Sequence, residues 1–258
     1  MVSDALAAVR DLVEGERLGA VATVVAGPDV GAKAVIESRV GIVTGALPSG
    51  IVDDVLQDAA ELIDHEQNRT LTYGDQDVFI EVLAPPPVLV IIGAGHVAQP
   101  LSSFARRLGF RVVVGDARAV WATPDRFPNA DEVVVGWPDA VFERVILDHR
   151  TYLVILSHDP RFEDPAFAAI KDNPVRYVGA MGSRRTHRQR VERLQAAGWA
   201  DEDIDRIHGP VGLDIGAETA EETAIAILAE IIQVRYGAGS GLSLRGTEGR
   251  IHPQRGLD

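Results

Sequence analysis

Three features of the 258-residue sequence predict a doubly wound α/β fold on a parallel sheet, preceded by a smaller N-terminal α/β domain. The first is a glycine turn, Gly93-Ala94-Gly95-His96-Val97-Ala98, set directly after the apolar run Val88 to Ile92. An amphipathic stretch through Leu101, Phe104, Ala105 and Leu108 follows, and then a second apolar run, Val112 to Val114, ending at Asp116. The second is the recurrence of Val/Ile-rich runs without polar alternation, the pattern of strands buried on both faces of a parallel sheet. The third is Pro85-Pro86-Pro87, a stiff spacer that neither continues a helix nor pairs in a central strand.

Each element follows from local pattern. Upstream of the prolines, the spacing predicts a helix near Ser3 to Arg17 and strands near Gly19 to Ala26 and Ala32 to Glu37. A helix from about Ile51 to His65 and a closing strand from Asp77 to Leu83 complete that region, with glycine turns between. Downstream, strands are expected at 88–92, 111–115, 131–135, 152–157 and 175–179. Helices are expected at 97–108, 138–148, 164–171, 184–197 and 218–236. The alternation of strand and helix is the doubly wound signature. The expected organisation is residues 1–84, residues 88–236, and a glycine-rich tail at 237–258 that gains order by docking on something.

Composition excludes several classes. There are no cysteines, so disulfides, thiolate ligands and cysteine nucleophiles are ruled out, and a cytoplasmic location is expected. No apolar run approaches the roughly 20 residues needed to cross a bilayer, so no membrane contact is expected. A formal net charge of −13 argues against nucleic acid. The charge is uneven: residues 1–84 hold five basic residues against fifteen acidic ones, whereas 176–198 hold six arginines against Glu192. Such a basic surface suits a small anionic ligand or an acidic patch on a partner; a solvated helix face is the competing reading.

The glycine turn is the GxGxxA form of the dinucleotide fingerprint, a Rossmann-like feature. Gly93 permits a tight exit from the strand, Gly95 lets backbone amides approach a pyrophosphate, and Ala98 lets the helix pack closely on the sheet. His96 and Val97 lie in the same turn, beside any bound cofactor. Asp116 falls about 20 residues after Gly95, where a ribose-binding carboxylate is expected, and Arg118 leaves a 2′-phosphate open. Two more polar clusters follow later strands: Ser157-His158-Asp159-Pro160-Arg161, and Gly182-Ser183-Arg184-Arg185-Thr186. The second forms an anion cradle, with Ser183 as helix cap and guanidinium groups for phosphate oxygens. His158, Asp159 and Asp214 are the candidates for acid–base chemistry. No histidine pair at zinc spacing appears, so no metal site is expected. Glu218, Glu222 and Glu230 share one helix face, as site residues or as solvated acids.

In order, GAGHVA, D-x-R, SHD, YVGAMGSRRT and GPVGLDIGAETAEETAIAILAEII resemble the xanthine dehydrogenase accessory protein family (XdhC/CoxI type). Ala22-Thr23-Val24-Val25 followed by Gly31-Ala32-Lys33 is similar to the family's N-terminal segment. The resemblance implies a maturation factor that binds molybdenum cofactor, as molybdopterin or its dinucleotide. Such a factor protects the cofactor during sulfuration by a sulfurtransferase and delivers it to an apo-molybdenum hydroxylase client. The chain departs from the pattern at Gly41 to Gly50, which lacks the family's Gly-Gly-Cys-x-Glu cysteine and glutamate. Ala220, Thr223 and Ala226 also stand where proline, isoleucine and serine are expected. The alternative is an NAD(P)-dependent oxidoreductase, with His158 as acid–base. A homodimer is expected, because a glycine-rich tail and an acidic domain without catalytic residues serve contacts.

Overall fold

The computed structural model describes residues 2–171 and 173–247. The chain divides after Pro85 into two compact units.

The first unit comprises α1 (Val2–Glu14), β1 (Gly19–Ala26), β2 (Lys33–Glu37), β3 (Gly41–Ala46), α2 (Val52–Asp64), β4 (Arg69–Tyr73) and β5 (Gln76–Leu83). The strands form one antiparallel sheet in the order β3-β2-β1-β5-β4. Alternate residues of each strand face opposite ways. Ala20, Ala22, Val24, Ala34, Ile36, Val78 and Ile80 therefore meet Val55, Ala59, Leu62 and Ile63 of α2. Val21 and Val35 meet Leu12 of α1 on the opposite face. Both edge strands go beyond the sequence expectation. β3 reads as a turn because Gly41 and Gly45 flank its apolar residues, with φ of 101° and 82°. A Cβ at Gly45 would strike the Lys33 carbonyl across the β2–β3 pair, so glycine is required there. β4 is short and only half-buried, which leaves little hydrophobic signal.

The second unit comprises β6 (Val88–Ile92), α3 (Ala98–Arg107), β7 (Arg111–Asp116), β8 (Glu132–Val135), α4 (Pro138–Phe142), β9 (Thr151–Ile155) and α5 (Pro160–Ile170). These are followed by β10 (Tyr177–Ala180), α6 (Arg184–Ala196), α7 (Asp201–Asp205), β11 (Ile207–His208) and α8 (Ala220–Tyr236). The sheet is wholly parallel, in the order β11-β10-β9-β6-β7-β8, the Rossmann arrangement. α3 and α8 cover one face, where Leu101 and Ala105 pack with Ala224, Ile227 and Ile231. The other face is covered by Val141 of α4, Phe162, Ala166, Phe167 and Ile170 of α5, Leu194 of α6 and Ile204 of α7.

Several boundaries differ from expectation for local reasons. The helix expected at 138–148 stops at Phe142, and Asp148 instead accepts the Arg150 amide while Thr151 Oγ1 bonds Ile146 O. The helix expected from 164 begins at Pro160, because Asp159 caps it and a proline suits the first helical position. α7 and β11 lie where the sequence suggested loop; each is short, and β11 spans two residues. Of the tail, residues up to Thr247 are described and contain one 3₁₀ turn, Leu244–Gly246; residues 248–258 lie outside the described part.

Candidate functional site at the carboxyl edge of the parallel sheet

β6 stands between β7 and β9, so the chain reverses its winding at the carboxyl end of β6. Open α/β sheets bind ligands in the crevice at this point. Gly93 has φ of 103°, and its amide donates to Gly115 O at 2.8 Å. A Cβ there would lie 3.2 Å from the Leu156 carbonyl carbon and from Ser157 N, so the loop after β9 passes tightly alongside. Gly95 differs, with open space where a Cβ would project. The amides of Gly95, His96 and Val97 find no acceptor among the described residues, and α3 has no side-chain cap. α5, α6 and α8 are each capped, by Asp159, Ser183 and Thr219. Uncapped amides at the positive end of a helix favour an anion. Val97 occupies the N-cap position, and Ala98 is fully buried against the sheet.

The segment after β7 folds back over this turn. Asp116, expected at a ribose, is fully buried and turned inward. Its Oδ2 accepts from Ala94 N (2.8 Å) and Arg118 Nη2 (2.7 Å), and its Oδ1 from Arg118 N and Nε, both at 2.9 Å. Burial opposes its ionisation, but the Arg118 guanidinium and the two amides outweigh burial and hold the carboxyl below its ordinary range. Arg126 Nη1 donates to Ala94 O at 3.0 Å and Trp121 O at 2.8 Å, and its guanidinium lies 4.5 Å from the Trp121 ring centre. Exposed His96 meets the same ring edge-on at 5.8 Å. Trp121 and Arg126 escaped the sequence reading. Their only signal is position, a few residues beyond the strand-end Asp116-Ala117-Arg118.

After β9, Asp159 accepts the Arg161 amide at 3.0 Å and is gripped by the Arg161 side chain. That guanidinium holds the Asp159 carboxyl below its ordinary range. Arg118 also acts electrostatically on Asp159, which links the loops after β7 and β9. His158 is exposed. After β10, Ser183 Oγ accepts the Thr186 amide at 3.1 Å. The arginines behind it divide into two groups. Arg190 is buried; its Nη2 bonds Glu163 Oε1 at 2.6 Å and Met181 O at 2.9 Å, while Arg193 takes the other oxygen of Glu163. Arg184, Arg185 and Arg188 are exposed and make no ion pair among the described residues. α6 is thus tied to α5 through Arg190 and Arg193 and presents three arginines to solvent.

The remaining candidates lie apart from these contacts. Asp214 is exposed in the loop after β11. Glu222 is the second half of a capping box with Thr219. Glu230 is neither solvated nor in the crevice loops. It accepts from Tyr177 OH at 2.5 Å and Gly212 N at 2.9 Å, and lies 3.2 Å from His208 Nδ1. Burial works against the Glu230 carboxylate, but His208, Tyr177 and the Gly212 amide together hold its carboxyl below the ordinary range. Tyr177 is pushed well above its ordinary value by burial and by that carboxylate. Among the described residues no group of three or more His, Asp or Glu could hold a metal ion, and no helix is long and apolar enough to cross a membrane.

Known proteins share these features. The XdhC Rossmann domain model matches residues 89–231, just over half the chain. An uncharacterized protein, YqeB, of Escherichia coli K12 is 35% identical over 67% of the chain and 32% of its own length. A probable xanthine dehydrogenase subunit of Bacillus subtilis is 31% identical over 64% of the chain and 48% of its own length. The molybdenum cofactor insertion chaperone PaoD of Escherichia coli K12 is 37% identical over 34% of the chain and 28% of its own length. The chain therefore spans between about a quarter and about half the length of these relatives. A crystal structure titled as a xanthine dehydrogenase from Bacillus halodurans shares the fold, with a TM-score of 0.54 at 19% identity over 93% of this chain and 98% of that one. With the Rossmann domain matched along its length and the glycine turn, D-x-R and arginine loops in place, the chain belongs to the XdhC family.

Proposed function

We propose that the chain is a maturation factor that binds molybdenum cofactor in the crevice of its second unit and supports its insertion into a xanthine dehydrogenase-type molybdenum hydroxylase. The observation that carries the reading is the uncapped start of α3 at the switch point, with open space at Gly95, in a chain of this family. Relatives carry the names molybdenum cofactor insertion chaperone and probable xanthine dehydrogenase subunit, which fit the same role.

The donor set fits the phosphate end of the cofactor. The Gly95, His96 and Val97 amides offer N–H groups to a phosphate or pyrophosphate, and Arg184 and Arg185 offer exposed guanidinium forks one loop away. Trp121 and His96 supply aromatic surface beside the turn. When bound, the cofactor would supply the molybdenum and dithiolene chemistry of the client, while this chain's residues hold its anionic part and leave the rest for transfer. Gly182 and Ser183 shape the second loop, with Ser183 fixing the start of α6. A sulfurtransferase and the apo-hydroxylase are the partners this role requires. The first unit and the tail are the surfaces assigned to them or to a second copy of the chain.

Deleting the gene and assaying molybdenum hydroxylase activity in the host tests the proposal. Loss of activity with intact hydroxylase polypeptide is expected; full activity with fully loaded cofactor, in a host without a paralogue, would overturn it. The NAD(P)-dependent oxidoreductase reading draws on the same glycine turn. It requires Asp116 at a ribose and His158 as an oriented acid–base, whereas Asp116 is buried beneath Arg118 and His158 stands exposed.

A further inference from the structure

Asp116 occupies the position from which a dehydrogenase carboxylate grips a ribose diol. A carboxylate offers about four lone-pair sites. All are engaged here: Ala94 N and Arg118 Nη2 lie on Oδ2, and Arg118 N and Nε lie on Oδ1, at 2.7 to 2.9 Å. With the side chain fully buried, no acceptor remains for a sugar hydroxyl. What this position offers outward is a cation. The Arg118 side chain is 55% exposed, and its fork is fixed edge-on by Asp116. Nη1 makes no hydrogen bond among the described residues, which leaves its two N–H groups and the second hydrogen of Nη2 directed away from the carboxylate. The guanidinium lies 5.3 Å from the centre of the Trp121 ring. The other charged groups near it are Asp159, already gripped by Arg161, and Arg126, which contacts the same tryptophan ring.

We infer that Arg118, positioned by Asp116, recognises a phosphomonoester on the ligand of this crevice and that no ribose diol is bound there. The inference rests on the cofactor-binding reading above and narrows its ligand to a molecule with a monoester phosphate near a planar ring. A guanidinium whose orientation is already fixed loses little freedom on binding phosphate, and two parallel N–H donors match two phosphate oxygens. The phosphate has two sources of the same chemistry, a nucleotide 2′-phosphate or the side-chain phosphate of a pterin.

Calorimetric titration of the full chain with two probe pairs separates these sources. Each pair differs by a single phosphate: NAD+ against NADP+, and a hydroxyalkyl pterin against its monophosphate. The expected result is about tenfold tighter binding of the phosphorylated member in at least one pair, a gain of the size a charge-assisted contact provides. The pair that shows the gain identifies the source. Arg118→Gln is expected to erase the gain, so that both members of the pair bind alike, and Arg118→Lys to keep part of it, since charge remains but the fork on Asp116 is lost. Thermal melting of both variants confirms that they fold. A gain absent from both pairs, a gain that survives Arg118→Gln, or no binding of any probe at millimolar concentration would each overturn the assignment. The gene-deletion assay judges the maturation role independently, so the two can fail separately.

Discussion

Single carboxylates tie together segments that are distant in the chain, and their ionisation bears on stability in acid. Asp116 joins the β6 turn to the segment after β7, and Glu230 joins α8 to β10, to His208 and to the Gly212 loop. Both carboxyls are held below their ordinary range in the folded chain, so the unfolded chain binds more protons in acid. Their contribution is complete above the unfolded carboxylate values of about 3.9 and 4.3 and is lost as pH falls through the lowered folded values. Asp116→Asn is therefore expected to flatten the acid limb of the stability curve in urea titrations between neutral pH and pH about 3; an unchanged limb would show that the buried carboxylate is not ionised in the fold. Tyr177→Phe removes one donor from the Glu230 carboxylate without emptying the apolar site. A loss of about 1.5–3 kcal/mol is expected at neutral pH, the range for a hydrogen bond to a charged group, measured by denaturant unfolding.

At the level of elements, α5, α6 and α8 are closed by their own side chains, whereas α2, α3, α4 and α7 start without a side-chain cap. α8 starts with the Thr219–Glu222 capping box, in which Thr219 Oγ1 accepts the Glu222 amide at 3.2 Å. Thr219→Ala is expected to cost about 1 kcal/mol; a variant as stable as the parent would show the box to be idle. α4 packs on β7 through a glycine, because a Cβ at Gly115 would run into Val141. Gly115→Ala should destabilise by about 1–3 kcal/mol through overpacking, read as a lowered melting temperature. It should also disturb Gly93, whose amide donates to the Gly115 carbonyl. α5 and α6 are joined by Arg190 and Glu163, 1% and 2% exposed, a pair that is costly to break by removing one partner.

Across the whole molecule, charge is segregated between the two units. The first is acidic, while α6 of the second presents Arg184, Arg185 and Arg188 to solvent. Opposite surfaces of this kind favour association that weakens with salt. A homodimer is the assembly we propose for the free protein, with the hydroxylase client as a competing occupant of the same surfaces. Light scattering behind size exclusion should give about twice the 27.7 kDa of one chain at tens of micromolar protein, falling as salt rises. A mass near 27.7 kDa at low salt would remove the dimer and leave client binding as the role of the first unit.

Local pattern alone determined the parallel sheet, the glycine turn, the start of α6 at Ser183 and the ends of most helices, because these depend on neighbours a few residues apart. The chain divides into its two units after Pro85. The tertiary structure decided what the polar residues do. Asp116, Glu163 and Glu230 look alike in sequence, yet one fixes an arginine at the end of β7, one is buried between two helices, and one ties a helix to a distant loop. The arginines of α6 also read as one basic run until packing buried Arg190 and left Arg184, Arg185 and Arg188 outside. The edge strands β3 and β4 were hidden for a related reason: their stability comes from pairing with β2 and β5 rather than from their own hydrophobic pattern. Partners separated by tens of residues carry no local period, so only the fold could pair them.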